Sequence, residues 1–532
     1  YEIASCLVGS EMCIRDRHIV YIQANITQNI LLRFIMLFVA VCQAVCCHAI
    51  MTYTADNSAK SINTSGDPRP VTLYITTIDG KEPTFEIAYP PEGATGVGIS
   101  NRTKVMGRMV MTTGTDTLYD SGKWVKDTSG MSIKVRGNTS AASANEQLPY
   151  KIKLVKKADL LMRGNKVYKH KDWVLLRGTW KSKVFANQQT CILPLVGTEV
   201  SRATGAEWTP EGNFVQVYLN GKYRGIYYLI EAIARGDGRI QVDDSGFIAE
   251  NDAYWWNADG AYFKTSRQES SMGWTFKYPD LNKITAGQMD EIVNCIEAFE
   301  DSLYNNRPLD SIADLHSFAR YVLAHDYLGT KDAWGSNMYM YRQNLDPLHP
   351  ETSKLKMATP WDFDSSFTTP DDEWSVPHYA ICFYYNKLFT RPDFVQAYVD
   401  VWNEVHNSIY TEVANRLHAF EQRNTTAFET IRLTCNAQQN INLQVQNSLH
   451  TQVEETLQHL ATRVATVDSL MAYYTWWLTG VGDCPTSAPA TSRAIYNTTG
   501  QKVTTTTPLH QLPAGVYIEV GSDGRARKVI KK

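Results

Sequence analysis

Asp332, Asn337, Asp362 and Asp364 are the residues of this chain whose types and spacing could do chemistry together. Asp332 and Asn337 are separated by four residues in "TKDAWGSNMYMYR", just before an alternating Met/Tyr run that reads as a strand. Asp362 and Asp364 flank a phenylalanine in "PWDFDSSF", after a second strand-like run, "KLKMATPW". Transfer of a phosphoryl group to a hydroxyl needs little more than such a set. It needs a carboxylate to accept the hydroxyl proton, oxygen ligands for a divalent cation, and a cation against the phosphates. In that chemistry Asp332 is the general base. Asn337 offers Mg²⁺ or Mn²⁺ a carboxamide oxygen, Asp362 is the main metal carboxylate, and Asp364 a further one. An Asp in a loop more often bonds its own backbone, so neither motif means much alone. Their order carries the reading: helix, Asp, four residues, Asn, strand, loop, strand, Asp.

These residues need a scaffold. From "VTLYITTIDG" to "PYKIKLV" the signals are strands and turns. Tyr150, Ile152 and Leu154 face one way, and Lys151 and Lys153 the other. "FVQVYLNGKYRGIYYLIE" is a hairpin about Asn220 and Gly221, and Asp79 with Gly80 reads as another hairpin-type turn. After residue 280 the period turns helical. Ile312, Leu315, Phe318, Val322 and Leu323 form a stripe, and Gly329 stops that helix just before Asp332. Residues 385–476 read as mainly helical, with "NAQQNINLQVQNS" as a polar helical face. The expected fold is α+β and two-lobed like the protein kinases, with a β-rich N-terminal lobe, a helical C-terminal lobe and a small C-terminal β segment.

Several blocks in order resemble the CotH family, the spore-coat-type atypical kinases: "SIKVRGNTSA", "LPYKIKL", "WVLL", the hairpin, "DYLGTKDAWGSNMYMY" and "PWDFDSSF". "LQHLATRVATVDSLM" resembles the Arg-to-Asp helix that closes that domain. The resemblance spans about residues 70–476 and implies an ATP- and metal-dependent protein kinase. It assigns Asp332 the base role and gives Asn337 and Asp362 to the metal. It also implies a phosphate-contacting lysine, Lys153 first and Lys151 second, a phosphate-proximal turn with Arg136 and Asn138, and Glu231 where a kinase chain passes the adenine. The chain departs from the family after "WVLL". "RGTWKSKVFAN" puts Lys181 in the place of an acidic residue and Ala186 in that of an arginine, leaving only Asn187.

The rest of the chain sets the context. Residues 1–17 match neither a signal n-region nor a structural element and read as an artefact. Residues 18–49 carry Arg33 and an apolar run too short for a comfortable membrane span, and read as a secretory signal region. A linker at 50–69 leads to the kinase-like domain at 70–476. A second linker at 477–490 precedes a β domain at 491–532 that resembles the sorting tail of Bacteroidetes secreted proteins. The expectation is an exported protein at the cell surface or outside the cell, handed to secretion machinery by its tail, with a protein substrate of unstated identity. A net charge of −3 provides no field for nucleic acid. Five scattered cysteines after residue 49 hold no CxxC pair, and read as buried small apolar residues. No Walker A loop or nucleophile elbow is present. The competing reading is a catalytically weak or inactive structural or adhesion protein, with "AYWWNADGAYF" as its glycan-stacking patch.

Overall fold

The computed structural model describes residues 69–94, 96–142, 147–181, 189–257, 262–267, 272–280, 283–330, 337–345, 353–368, 383–438 and 443–479, and four strands beyond. The signal-like region, Asp332, residues 182–188, Cys382 and Cys484 lie outside them.

The main sheet of the first half has eight strands: β1 (Val71–Thr77), β2 (Val105–Thr113), β3 (Asp116–Asp120), β4 (Met131–Val135), β5 (Tyr150–Ala158), β6 (His170–Arg177), β7 (Gly212–Leu219) and β8 (Lys222–Glu231). Their order is β1-β7-β8-β6-β5-β4-β2, and β2 pairs back to β1. Seven strands therefore close into a barrel, with β3 attached to β2. The β1–β7 pair is parallel and stacks Tyr74 on Tyr218 at 5.2 Å. Alternation explains both faces. Leu73, Met111, Ile133, Ile152, Trp173 and Val217 fill the barrel, while Lys151, Lys153 and Asp172 stand on the opposite face of their strands. The turn at Asn220 and Gly221 has φ of 52° and 75°, as the tight hairpin requires. Asp79 and Gly80 also turn with positive φ, but make no hairpin. β1 pairs instead with β2, because residues between them fold out as a separate two-stranded ribbon.

A second sheet runs β10-β11-β9-β12-β13, built from β9 (Phe247–Asp252), β10 (Tyr262–Phe263), β11 (Gly273–Tyr278), β12 (Met338–Arg342) and β13 (Lys356–Met357). The helices are α1 (Leu193–Ala203), α2 (Ala286–Tyr304), α3 (Leu315–Leu328), α4 (Pro392–Val405), α5 (Ile409–Asn436) and α6 (Leu449–Thr479). α3 begins under an Asp314 cap and ends at Gly329, whose φ of 59° closes it as its sequence predicts. None of the described helices is long and apolar enough to cross a membrane.

The two-lobed expectation is corrected here. The outer face of β6, β7 and β8 is apolar, with Val174, Phe214, Tyr228 and Ile230 joining the helices and the second sheet in one continuous core. Phe214 meets Phe420 and Phe428 of α5 edge-on at 5.8 and 4.9 Å. Each such buried ring contributes about 1.5–3 kcal/mol, and the described residues of both halves share this one core. The β-rich half is a closed barrel sealed onto the helices.

The stretch at 436–448 is a second correction. α5 stops at Asn436, and the described residues that follow are a non-helical connection to α6. Asn436 accepts from the Val445 N–H at 2.9 Å and donates to its carbonyl at 2.8 Å, so the amide side chain replaces helical bonding. Cys191, Cys295 and Cys435 are free and buried. Beyond 493, β14 (Ala494–Asn497), β15 (Lys502–Thr504), β16 (Gly515–Val520) and β17 (Ala526–Lys531) form a sheet ordered β15-β14-β16-β17.

Candidate functional site

The acidic segment is held by the end of α3. The Phe367 N–H donates to the Leu328 carbonyl at 2.8 Å, the Thr368 N–H donates to the Gly329 carbonyl at 3.1 Å, and the Thr330 and Ser366 hydroxyls meet at 3.4 Å. Asp362 (φ 68°) and Phe367 (φ 58°) take left-handed backbone, which non-glycine residues adopt only where their surroundings impose it. Phe363 is the anchor. Its buried ring lies against Gly197 of α1 and 6.3 Å from the ring of His325. Asn337 is buried and opens β12, and its carbonyl accepts from the Tyr321 hydroxyl of α3 at 3.3 Å. α3 thus fixes both flanks of the segment that carries Asp332, namely Thr330 and Asn337. Asp332 itself lies outside the described residues.

Arg463 of α6 secures the same helix end. Its fully buried guanidinium donates to the carbonyl of Asp326, where the α3 dipole is negative. Asp468, five residues on, accepts from the Trp402 indole at 2.9 Å, so the two polar residues of the closing helix tie it to α3 and α4.

Asp362 and Asp364 line a crevice with Arg136, Ser140, Arg177 and Trp361. Arg136 ends β4 and turns through Gly137 (φ 75°). Its N–H donates to the Pro149 carbonyl at 3.0 Å, and its guanidinium lies over the Trp361 ring at 5.6 Å. Burial pushes the Asp362 carboxyl above the usual carboxylate range, and the Arg136 and Arg177 guanidiniums partly oppose this. Two guanidiniums beside two carboxylates can bind a polyphosphate and its counter-cation side by side. Sequence reading missed Arg177. It ends β6 directly after "WVLL", and the alternation there marks a strand end but no chemistry.

The two lysines differ. Lys151 is half-buried and pairs with Asp172 at 3.3 Å, while Lys153 is exposed and stands opposite Asp172 in register. Burial pushes the Lys151 ammonium down, Asp172 opposes this, and nearby Lys277 adds to it. Lys277 in turn pairs with buried Glu250, which also accepts from the Tyr339 hydroxyl at 2.7 Å. Lys151 therefore faces a charged cluster shared by the barrel and the second sheet. Lys277 and Glu250 carried no sequence signal, because the contact joins strands far apart in the chain.

The other two candidates are held in place by their neighbours. Asn138 accepts from Arg102 at 2.6 Å and from Asn257 at 3.3 Å, which locks the Arg136 turn onto the ribbon. Glu231 is buried, accepts from Arg163 at 2.8 Å and the Glu211 N–H at 3.0 Å, and lies 3.7 Å from Arg239. Both its oxygens are used at the barrel end, and it is not among the residues lining the Asp362 crevice. In the Trp-rich patch, Trp255 packs on Gly273 and Tyr254 on Gly96 and Gly98, which leaves both tryptophans half-buried.

A closed barrel sealed to a helical half, with an arginine-lined acidic crevice braced by one helix end, defines a mixed α+β protein. The family described as CotH kinase protein matches residues 133–466, well over half of the chain, and the chain belongs to that family. β1 and β2 precede the matched range, yet they close the barrel. No curated protein matches the chain.

Proposed function

We propose that this protein is an exported, ATP- and divalent-cation-dependent protein kinase that transfers the γ-phosphate to Ser or Thr hydroxyls of surface or secreted proteins. The observation that carries the reading is the backbone pairing of Phe367 and Thr368 with Leu328 and Gly329. It holds the Asp362 segment against the helix end from which the Asp332 segment departs. A transferase that must set a base beside a metal–phosphate group needs such a brace.

The donor set fits Mg²⁺ or Mn²⁺. Asn337, Asp362 and Asp364 offer oxygen ligands, and Asp362 is a half-buried carboxyl whose desolvation the neighbouring arginines oppose only in part. Asn337, Asp362 and Asp364 would hold the cation, which when bound neutralises charge on the β- and γ-phosphates. Arg136 and Arg177 would grip phosphate oxygens, and Lys151, half-buried beside Asp172, is the lysine this reading assigns to assist them. Asp332 would accept the proton of the acceptor hydroxyl as its oxygen bonds the γ-phosphorus and the bond to the β–γ bridging oxygen breaks, releasing ADP.

Export rests on the apolar run at 34–41, and delivery through secretion machinery on the C-terminal β segment. The test is transfer of label from γ-labelled ATP to a generic acceptor protein with Mg²⁺ or Mn²⁺, using the wild type beside Asp332→Ala and Asp362→Ala. Transfer abolished by both substitutions supports the reading. A wild type that neither transfers label nor binds ATP with metal overturns it and favours the structural or adhesion role.

A further inference from the structure

We propose that His418, Glu421, His450 and Glu454 form a surface site for a zinc-type divalent transition metal that staples α5 to α6. It is separate from the crevice at Asp362 and independent of the kinase reading.

The spacing puts two ligands on each helix. His418 and Glu421 are three residues apart on α5, and His450 and Glu454 four apart on α6, so each pair shares a face. The faces converge. His418 Nδ1 lies 3.3 Å from Glu421 Oε2 and 3.9 Å from Glu454 Oε1, and His450 Nδ1 lies 2.8 Å from Glu421 Oε1. Ligand atoms of His418, Glu421 and Glu454 all lie within 4.8 Å of one another. Around a tetrahedral ion with bonds of about 2.0–2.1 Å, ligand atoms stand roughly 3.3 Å apart. The His418–Glu421 contact already has that value, and rotation of the exposed His418, His450 and Glu454 side chains about half-buried Glu421 would bring the other ligand atoms towards it.

Two imidazoles converging on one carboxylate is an arrangement with little to gain from ion pairing alone. Exposed pairs are worth about 0–1 kcal/mol. Metal binding instead uses every member, with each Nδ1 giving up any proton it shares with Glu421. Two nitrogens and two carboxylate oxygens suit Zn²⁺ and its neighbours rather than Mg²⁺. A solvent-open cleft lined by Tyr410, Thr451, Glu455 and Gln458 leads to the cluster. The staple has a mechanical role. α5 carries Phe420 and Phe428 onto the barrel, and α6 carries Arg463 onto the end of α3.

The experiment titrates the full chain, stripped of metal by chelation, with Zn²⁺ alone by calorimetry, beside His418→Gln/His450→Gln. The wild type should bind one equivalent more than the double variant, and saturating Zn²⁺ should raise its Tm by a few degrees while leaving that of the variant unchanged. Where the metal-free variant differs from wild type by circular dichroism, Glu454→Gln replaces it, with Zn²⁺ affinity expected to fall at least tenfold. Co²⁺ loading of the wild type should give the intense visible bands of a tetrahedral site, lost in the variant. Equal Zn²⁺ stoichiometry and affinity in wild type and variants, or octahedral Co²⁺ bands in the wild type, would overturn the proposal.

Discussion

Gly197 of α1 lies directly against the ring of Phe363, so close that a Cβ there would stand 2.1 Å from the ring Cγ. α1 and the acidic segment are in contact only because this position has no side chain. Phe363 sits between Asp362 and Asp364, so whatever moves the ring moves both carboxylates.

Gly197→Ala therefore sets two effects against each other. Alanine in a helix gains about 1 kcal/mol over glycine, while overpacking costs about 1–3 kcal/mol. With neighbour atoms this near, the second prevails. Urea unfolding should show a net loss of about 1–2 kcal/mol, and metal-dependent ATP binding should weaken more than stability alone explains. A stabilised variant with unchanged binding would show that the contact is loose and that Phe363 does not position Asp362.

The two lysines of β5 make a paired test. Lys151 is half-buried against Asp172 and the Lys277 and Glu250 cluster, whereas Lys153 is exposed. Lys151→Ala should weaken ATP binding by tenfold or more, and Lys153→Ala should leave it within about twofold. Nucleotide-binding isotherms decide, and the reverse order would return the phosphate role to Lys153.

Part of the scaffold around the candidate site was legible in the sequence, for identifiable reasons. Hydrophobic period and the Gly329 stop located α3, and Asn220 with Gly221 located the hairpin, because both signals are local. The barrel closure was not legible, because the β1–β7 and β1–β2 pairings join segments far apart in the chain. Arg177, Lys277 and Glu250 escaped for the same reason, since only packing shows which charges meet. Alternation put Lys151 and Lys153 on one strand face, and it carries no information on which of them is half-buried and which exposed. The polar run misled because the Asn436 amide bonds the Val445 backbone where the helix ends, and the described residues on either side of 439–442 are not helical.

Two histidines should make stability depend on pH. His170 is fixed as a neutral tautomer. Its Nε2–H donates to the Arg235 carbonyl at 3.1 Å, and Nδ1 accepts from the Asp172 N–H at 3.0 Å. Burial, then Arg239, lowers it to about 4. His325 is wholly buried, its ring nitrogens have no hydrogen-bond partner among the described residues, and burial lowers it to about 3. Both bind a proton in the unfolded chain below about pH 6.5 but not in the fold until pH falls further, so acid favours unfolding. Stability should decline from pH 6.5 towards 4, with a slope approaching about 1.4 kcal/mol per pH unit for each histidine. Urea midpoints at pH 7, 6 and 5 should show it, and His325→Phe should flatten the slope. An unchanged slope in that variant would mean that His325 titrates normally.

The most direct measurement of the central claim separates binding from transfer with two isosteric substitutions. Asp332→Asn removes the proposed base and keeps the site's shape. Asp362→Asn removes the main metal carboxylate. ATP binding should be measured with and without Mg²⁺, alongside label transfer to an acceptor protein. Metal-dependent ATP binding retained in Asp332→Asn without transfer, and lost in Asp362→Asn, is the predicted pattern. Transfer that survives both substitutions, or wild-type ATP binding indifferent to metal, would contradict it.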